Sequence, residues 1–275
     1  ELIDVLQPGS GSSSPKNLIK FGGQLYFSGN DGVNGHELWK TDGTSTGTYL
    51  VKELNNYYIV IPTSKTKNNR SVYKMDVTCY DDVAHSIKTF KPDIIINCAA
   101  MTNVDDCEKY RDRAQKINVD GLKNIIKSSN KNTKIVHIST DYVFNGEDEM
   151  YFEDSQTHPI NFYGKSKLEA ENFLRGSNRN HLIIRTSSLY SHDFNSFFYW
   201  VYSNLNAKNT IHVASDLYST TTWTKSLSVA IKESIIMNIR GLYHYAGLNP
   251  ISRYDFSLLI CKQFKLNESY LIPTT

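Results

Sequence analysis

The chain has 275 residues, 40% hydrophobic and 21% charged, a balance that excludes wholesale disorder. Thirty basic against twenty-eight acidic residues leave a charge of +2, which nominates neither nucleic acid nor a membrane surface as partner. No apolar run approaches the ~20 residues that cross a bilayer, and the opening at Glu1 lacks the charged-then-apolar order of a signal peptide.

Residues 1–55 hold most of the fifteen glycines, with many Ser and Thr residues around short aromatic-bearing runs. Leu25–Ser28, Glu37–Lys40 and Thr48–Val51 read as strands, separated by turn clusters at Gly29–Gly32 and Asp42–Thr44, the signature of a β-meander. Gly23-Gln24-Leu25-Tyr26-Phe27, Asp31-Gly32, Gly35 and the run Glu37 to Thr44 closely resemble one unit of the ELWxxDGT repeat. A single unit cannot bury its faces without neighbours, so no closed propeller follows from it.

From residue 57 the pattern alternates. Tyr57–Ile61, Asp93–Asn97, Lys134–Ile138 and His181–Arg185 are short apolar runs that read as strands. Helical periodicity runs from about Glu108 to Ser128 and again over Tyr163–Leu174. Buried strands alternating with helices call for a parallel, doubly wound sheet. Beyond residue 190, helices near Phe194–Leu205 and Thr224–Met237 with strands at Thr210–Val213 and Leu242–Tyr245 predict a smaller lobe. The expected fold is therefore α/β: a Rossmann-type doubly wound parallel sheet over 56–275, a small C-terminal substrate lobe mostly after 190, and an N-terminal β-rich appendage over 1–55.

Cys79, Cys98, Cys107 and Cys261 form no C-x-x-C pair, so the expectation is reduced thiols in a cytoplasmic protein, without disulfide or metal site. A first residue other than Met reads as a fragment or a processed chain.

The densest chemistry lies in Tyr163-Gly164-Lys165-Ser166-Lys167. Positions four apart share a helix face, so Tyr163 and Lys167 can converge. A phenol is a poor acid–base group at neutral pH, and an adjacent ammonium would lower its pKa. With eighteen tyrosines in the chain, the same spacing also arises on an ordinary helix surface. Upstream, Thr140 follows the strand Lys134–Ile138, where ligands bind in open α/β sheets. Its hydroxyl could donate to a carbonyl oxygen gaining charge, or cap a turn. No helical pattern follows within three residues, which favours the donor.

Ile138–Gly146, Glu153, Pro159 and Tyr163–Glu169 together resemble the dTDP-4-dehydrorhamnose reductase family. So do Ile96–Asp105, Glu108, Ile117–Val119, Arg185–Ser187, Gly241–His244 and Ala246–Gly247. The resemblance covers roughly 56–275 in order. It implies that Tyr163 donates the proton, that Lys167 is its partner, and that Thr140 is the third catalytic residue. It also implies that Thr140 and Asp141 touch a nucleotide-sugar substrate. Asp76 and Val77 would meet the adenine of NADPH or NADH, and Ala99, Ala100 and Met101 would line that cofactor, with Tyr163 and Lys167 also reaching it. The implied reaction is hydride transfer to a 4-keto-6-deoxyhexose on a nucleoside diphosphate. A homodimer is compatible with this reading.

The pattern breaks at the N-terminus. Family members open with a strand, a glycine turn and a helix that hold the pyrophosphate. Gly29-x-x-Gly32-x-x-Gly35 has the spacing, but His36–Lys40 runs into Thr41–Thr48, a poor helix by propensity. The expectation is a coincidence inside a β-repeat and weak or absent NADPH binding. Ser188 stands where the family usually has Trp, and Ile272–Thr275 stops short of the family's C-terminal segment; both bear on substrate identity. Three readings compete: an active reductase, a cofactor-deficient relic or regulatory subunit that keeps the sugar-nucleotide pocket, and a surface interaction module led by the β-repeat. A doubly wound sheet also needs a central first strand, and Gln24–Ser28 is the expected occupant, parallel to Asp93–Asn97.

Overall fold

The computed structural model describes residues 16–21, 24–30, 36–41, 54–55, 57–66, 72–148, 150–191 and 196–275. Three strands come first: β1 (Lys16–Phe21), β2 (Gln24–Asn30) and β3 (His36–Thr41). They form an antiparallel meander in the order β1-β2-β3, with Leu25 opposite Thr41 and Gly29 opposite Glu37. Thr48–Val51, Gly32 and Gly35 lie outside the described residues.

Two expectations fail here. Gln24–Ser28 pairs antiparallel with β1 and β3, so it is not the missing parallel strand beside Asp93–Asn97. The short link between β2 and β3 favours a hairpin, whereas a parallel neighbour needs a long crossover. Tyr57–Ile61 is not a strand either: Ile59 is 95% exposed, and no neighbour pairs with the run among the described residues. The chain becomes extended only at β4 (Thr63–Ser64), which pairs in parallel with β5 (Tyr73–Lys74).

The central sheet runs β13-β8-β7-β6, all parallel. Its strands are β6 (Ile94–Asn97), β7 (Lys134–Thr140), β8 (His181–Thr186) and, last in sequence, β13 (Gly241–His244). β7 and β8 are buried almost throughout, while Ile94–Ile96 of β6 are half-buried. Among the described residues β6 is a sheet edge. This is the side on which a doubly wound fold places its first strand.

Helices α1 (Tyr80–Phe90), α4 (Gly121–Ser128) and α5 (Phe162–Gly176) supply apolar faces to one core with the sheet. Val83, Leu122, Ile125, Ile126, Ala170 and Leu174 pack there with Ile135 of β7 and Ile183 of β8. Between β6 and α4 the chain runs through α2 (Val104–Lys109), α3 (Arg111–Gln115) and a π-helical turn, Lys116–Asp120. The widened turn holds the buried Asn118, and π-bulges recur at functional sites.

Ile61–Ser187 with Ser234–Ala246 forms one compact unit, and Glu1–Val60, Ser188–Glu233 and Gly247–Thr275 group into the second. In the second unit α6 (Phe197–Asn206) and α8 (Arg253–Phe264) cover the parallel pair β10 (Ile211–Ala214) and β15 (Leu271–Thr274). Phe198, Val201, Leu205, Ile211, Val213, Ile260, Cys261 and Leu271 make its core. β9 (Leu189–Tyr190) pairs with β12 (Thr222–Trp223), and β11 (Tyr218–Ser219) with β14 (Ile251–Ser252). α7 (Thr224–Ile236) follows β12 directly.

Candidate functional site

Helix α5 starts where its sequence dictates. Asn161 is its N-cap, its side chain accepting from the Gly164 amide at 2.8 Å. That cap sets the first turn against the segment following β7. A Cβ on Gly164 would stand 2.0 Å from the Tyr142 carbonyl oxygen, so only glycine permits this approach. The approach stacks Tyr142 edge-on against Tyr163, ring centroids 5.5 Å apart. Tyr163 is buried at 9% exposure, packed with Cys107 and Ala114 and flanked by Met101 and Phe162.

Thr140 ends β7, level with Thr186 of β8. Its hydroxyl accepts from the Tyr142 amide at 3.2 Å and donates to Asp141 at 3.1 Å. It therefore does cap a short 3₁₀ turn, Asp141–Val143, the alternative that the sequence disfavoured. Three residues proved enough for a turn, though too few for a periodic pattern. Asp141 also accepts from the Ser187 hydroxyl at 2.6 Å, tying the ends of β7 and β8 together. Burial raises its carboxyl pKa, against the pull of those hydrogen bonds.

The phenol behaves differently from the expectation. Burial pushes the Tyr163 pKa far up, with Asp141, Cys107 and Tyr142 adding to the rise and only the Thr140 hydroxyl opposing it. The physical reason lies in where Lys167 is directed. Its Nζ donates to the Ile138 carbonyl at 2.6 Å and stands 3.2 Å from His137 Nε2, so it is engaged on β7. Lys167 is 2% exposed, and burial brings its pKa down to about 8, partly offset by Glu171 and Cys98. His137 is fully buried, and burial next to Lys167 holds its pKa well below the ordinary imidazole value. Its Nδ1 meets Asn97 Nδ2 at 3.2 Å, and Asn97 Oδ1 accepts from the Ala99 amide at 3.2 Å.

Two further groups brace the site. Glu171, one turn beyond Lys167 on α5, accepts from Ser139 at 2.5 Å and from Arg185 Nε and Nη2 at 3.0 and 2.7 Å. The ion pair is almost wholly buried, and the Arg185 guanidinium lies 5.1 Å from the centre of the Phe144 ring. Asn118 clamps the turn after β6: it accepts from the Met101 amide at 2.7 Å and donates to the Met101 carbonyl and to Ser166. Sequence reading passed over His137, Asn97, Asn118, Glu171 and Arg185. The available signals were polar residues inside apolar strands, at His137 in KIVHI and Arg185 in HLIIR, and a carboxylate four places after Lys167.

The remaining expected residues lie on two other turns. Ala99, Ala100 and Met101 follow β6 and are half-buried. Asp76 follows β5, where burial would raise its pKa but Lys65 at 2.8 Å and Thr78 outweigh it and lower it. The Val77 carbonyl accepts from Asn124 at 2.9 Å, and its side chain joins the sheet core. Gly29 stands in β2, in mid-hairpin, and His36–Thr41 is a strand, so no helix opens after Gly35. Among the described residues no His, Cys, Asp and Glu cluster could hold a metal, and no helix is long and apolar enough to cross a membrane.

Comparison with known proteins identifies the family and the fold. Residues 28–275 match the family model of the RmlD substrate binding domain. The spore coat polysaccharide biosynthesis protein SpsK of Bacillus subtilis is 35% identical over 203 residues, covering 73% of this chain and 71% of the relative. The dTDP-4-dehydrorhamnose reductase of Escherichia coli K12 is 31% identical over 217 residues, covering 74% and 73%. Among solved structures, a hypothetical dTDP-4-dehydrorhamnose reductase from Sulfolobus tokodaii superposes with a TM-score of 0.76 at 34% identity, over 84% of this chain and 82% of that one. The dTDP-4-dehydrorhamnose reductase from Bacillus anthracis, solved in complex with NADP, gives 0.72 at 30% identity, over 84% and 82%. On these grounds the chain belongs to the RmlD family of Rossmann-type proteins.

Proposed function

We propose that the chain reduces a nucleotide-linked 4-keto-6-deoxy sugar with NADPH or NADH, as its dTDP-4-dehydrorhamnose reductase relatives are named for doing. One observation carries the reading: Thr140 at the end of β7 hydrogen-bonds Tyr163, and Lys167, one turn further along α5, reaches the Ile138 carbonyl of β7, all three residues being buried. Reduction of a ketone needs an acid at the carbonyl oxygen, and a phenol kept protonated by burial is on the correct side of that equilibrium. Tyr163 is the proposed proton donor. Thr140, once its hydroxyl turns from Asp141, is a second donor to the same oxygen. Lys167 is the proposed partner of both phenol and cofactor, and Thr140 and Asp141 would touch the sugar nucleotide.

The residues present fit part of the cofactor. Lys167 and Tyr163 suit the nicotinamide ribose, the turn Ala99–Met101 is braced by Asn97 and Asn118, and Asp76 and Val77 offer an adenine edge. When bound, the nicotinamide supplies the hydride. The phosphate half is less provided for, because among the described residues no helix N-terminus follows a strand next to β6. That observation favours a second reading, a cofactor-deficient member that keeps the sugar-nucleotide pocket.

The N-terminal strands are proposed as one ELWxxDGT-type unit over 1–55, ahead of a reductase domain over 56–275 whose substrate lobe lies mostly after 190. A cytoplasmic location without nucleic-acid or membrane partner, and a homodimer, complete the proposal. The deciding experiment is NADPH titration followed by fluorescence, then turnover of a dTDP-linked 4-keto-6-deoxy sugar. Saturable binding with turnover supports the reductase. Sugar-nucleotide binding without NADPH binding supports the second reading, and binding of neither removes both.

A further inference from the structure

His137 lies beneath the catalytic face of β7, and its hydrogen bonds leave it little freedom. The Ala99 amide can only donate, so the Asn97 atom facing it is the oxygen, and the Asn97 nitrogen faces His137. An amide nitrogen can only donate as well. His137 Nδ1 is therefore an acceptor, and the proton of the neutral ring sits on Nε2. That nitrogen meets Lys167 Nζ at 3.2 Å. A donor there needs a lone pair opposite it, which an amine has and an ammonium lacks. The order of donors runs Ala99 to Asn97, Asn97 to His137, His137 to Lys167, and it closes only when Lys167 is uncharged.

Charging Lys167 requires the reverse order. Nζ takes a proton from solvent, His137 accepts at Nε2 and carries its own proton on Nδ1, and Asn97 turns its amide so that the oxygen receives that proton. The Ala99 amide then loses its acceptor and is free for another. Both arrangements keep His137 neutral, and only the second leaves the Ala99 amide unpaired. We propose that Asn97 and His137 form a two-state hydrogen-bond chain that ties the charge of Lys167 to the availability of the Ala99 amide. They are positioning residues: neither need touch the reacting atoms.

Other groups facing Lys167 oppose the uncharged state without abolishing it. Glu171 on α5 and the Cys98 thiol beyond β6 favour the ammonium, the Ile138 carbonyl accepts from either form, and Tyr163 stands one turn away on the same helix. Glu171 is itself neutralised by Arg185. The consequence for catalysis rests on the reductase reading. A group that recruits the Ala99 amide would charge Lys167, so the charge of the residue proposed as partner of phenol and cofactor would depend on occupancy of the turn after β6.

The test needs neither substrate nor cofactor. The protein is labelled with ¹⁵N in its eight histidines and long-range proton–nitrogen spectra are recorded from about pH 6 to 10, spanning the Lys167 titration. The His137 signals are those lost in His137→Gln. The expected result is a neutral ring protonated on Nε2 at high pH that converts to the Nδ1 form as Lys167 charges. A ring fixed in the Nδ1 form, a ring fixed in the Nε2 form, or an imidazolium in this range would overturn the proposal. Asn97→Ala takes two hydrogen bonds from the uncharged state, from the Ala99 amide and to Nδ1, but only one from the charged state, so the conversion midpoint should rise by about one pH unit, the size of one net hydrogen bond. An unmoved midpoint also overturns it. Should His137→Gln not fold, Lys167→Met identifies the ring instead, as the one whose tautomer ceases to change with pH. If wild type shows the conversion yet reduces no keto-sugar, the chain stands and the reductase reading falls.

Discussion

At the carboxyl end of β7, buried polar side chains from β6, β7, β8 and α5 answer one another: Asn97, His137, Ser139, Lys167, Glu171 and Arg185 all have partners. Along β1–β3, order consists of backbone pairing in a meander that turns back on itself. The first arrangement needs a parallel sheet, because only there do several strand ends deliver side chains to one place. The second needs only short links between neighbours. A glycine triplet and a tyrosine–lysine pair are equally brief as motifs. What separates them is the frame: the pair sits on a capped helix against strand ends, while Gly29 is a ladder residue next to the end of β2 in a hairpin.

The largest break in this contrast comes from removing Glu171. Truncation to Ala leaves Arg185 buried without its partner and Ser139 without its acceptor. Breaking a buried pair from one side costs about 3–5 kcal/mol. We expect a loss of that size in chemical denaturation, with Glu171→Gln losing less because its amide oxygen still accepts. A loss under about 1 kcal/mol, the scale of an exposed pair, would mean that the network is decorative.

Tyr163→Phe acts on chemistry rather than on the fold. The ring stays packed between Cys107 and Met101, so stability should change little. Removing the acid should lower the rate of keto-sugar reduction by about 100-fold or more, equivalent to ~2.7 kcal/mol in the barrier. Unchanged sugar-nucleotide binding should accompany it. Equal rates for the two proteins would remove Tyr163 as donor and return Y-x-x-x-K to a helix surface.

The frame of the reductase unit could be read in advance because period and composition agree there. Lys134–Ile138 and His181–Arg185 are apolar enough to be central strands, and both are. The Tyr163 helix was legible from its spacing, and its capping residue Asn161 fits the start found. Tyr57–Ile61 was misread because an apolar run becomes a strand only when a neighbour pairs with it, and sequence cannot show an absent neighbour. The electrostatics of the site were misread for a related reason. Spacing brought Tyr163 and Lys167 to one face, but His137 and the Ile138 carbonyl, thirty residues away in sequence, decide where the lysine points.

The smallest expected effect is the one that tests the contrast most directly. If Gly29 belonged to a phosphate turn, a side chain there would obstruct the backbone's approach to the pyrophosphate, and NADPH affinity would fall by about tenfold or more, ~1.4 kcal/mol. In the structure Gly29 instead faces Glu37 across an antiparallel ladder. Its neighbours are strand residues. Alanine is compatible with a ladder position and restricts the unfolded chain, so stability should hold or rise slightly. We therefore expect Gly29→Ala to leave the NADPH dissociation constant within about twofold, ~0.4 kcal/mol, by fluorescence titration. Wild type must first bind NADPH measurably for the ratio to be read. A tenfold weakening at unchanged stability would instead join Gly29 to the cofactor site, and the meander would have to open into a strand, turn and helix when NADPH binds.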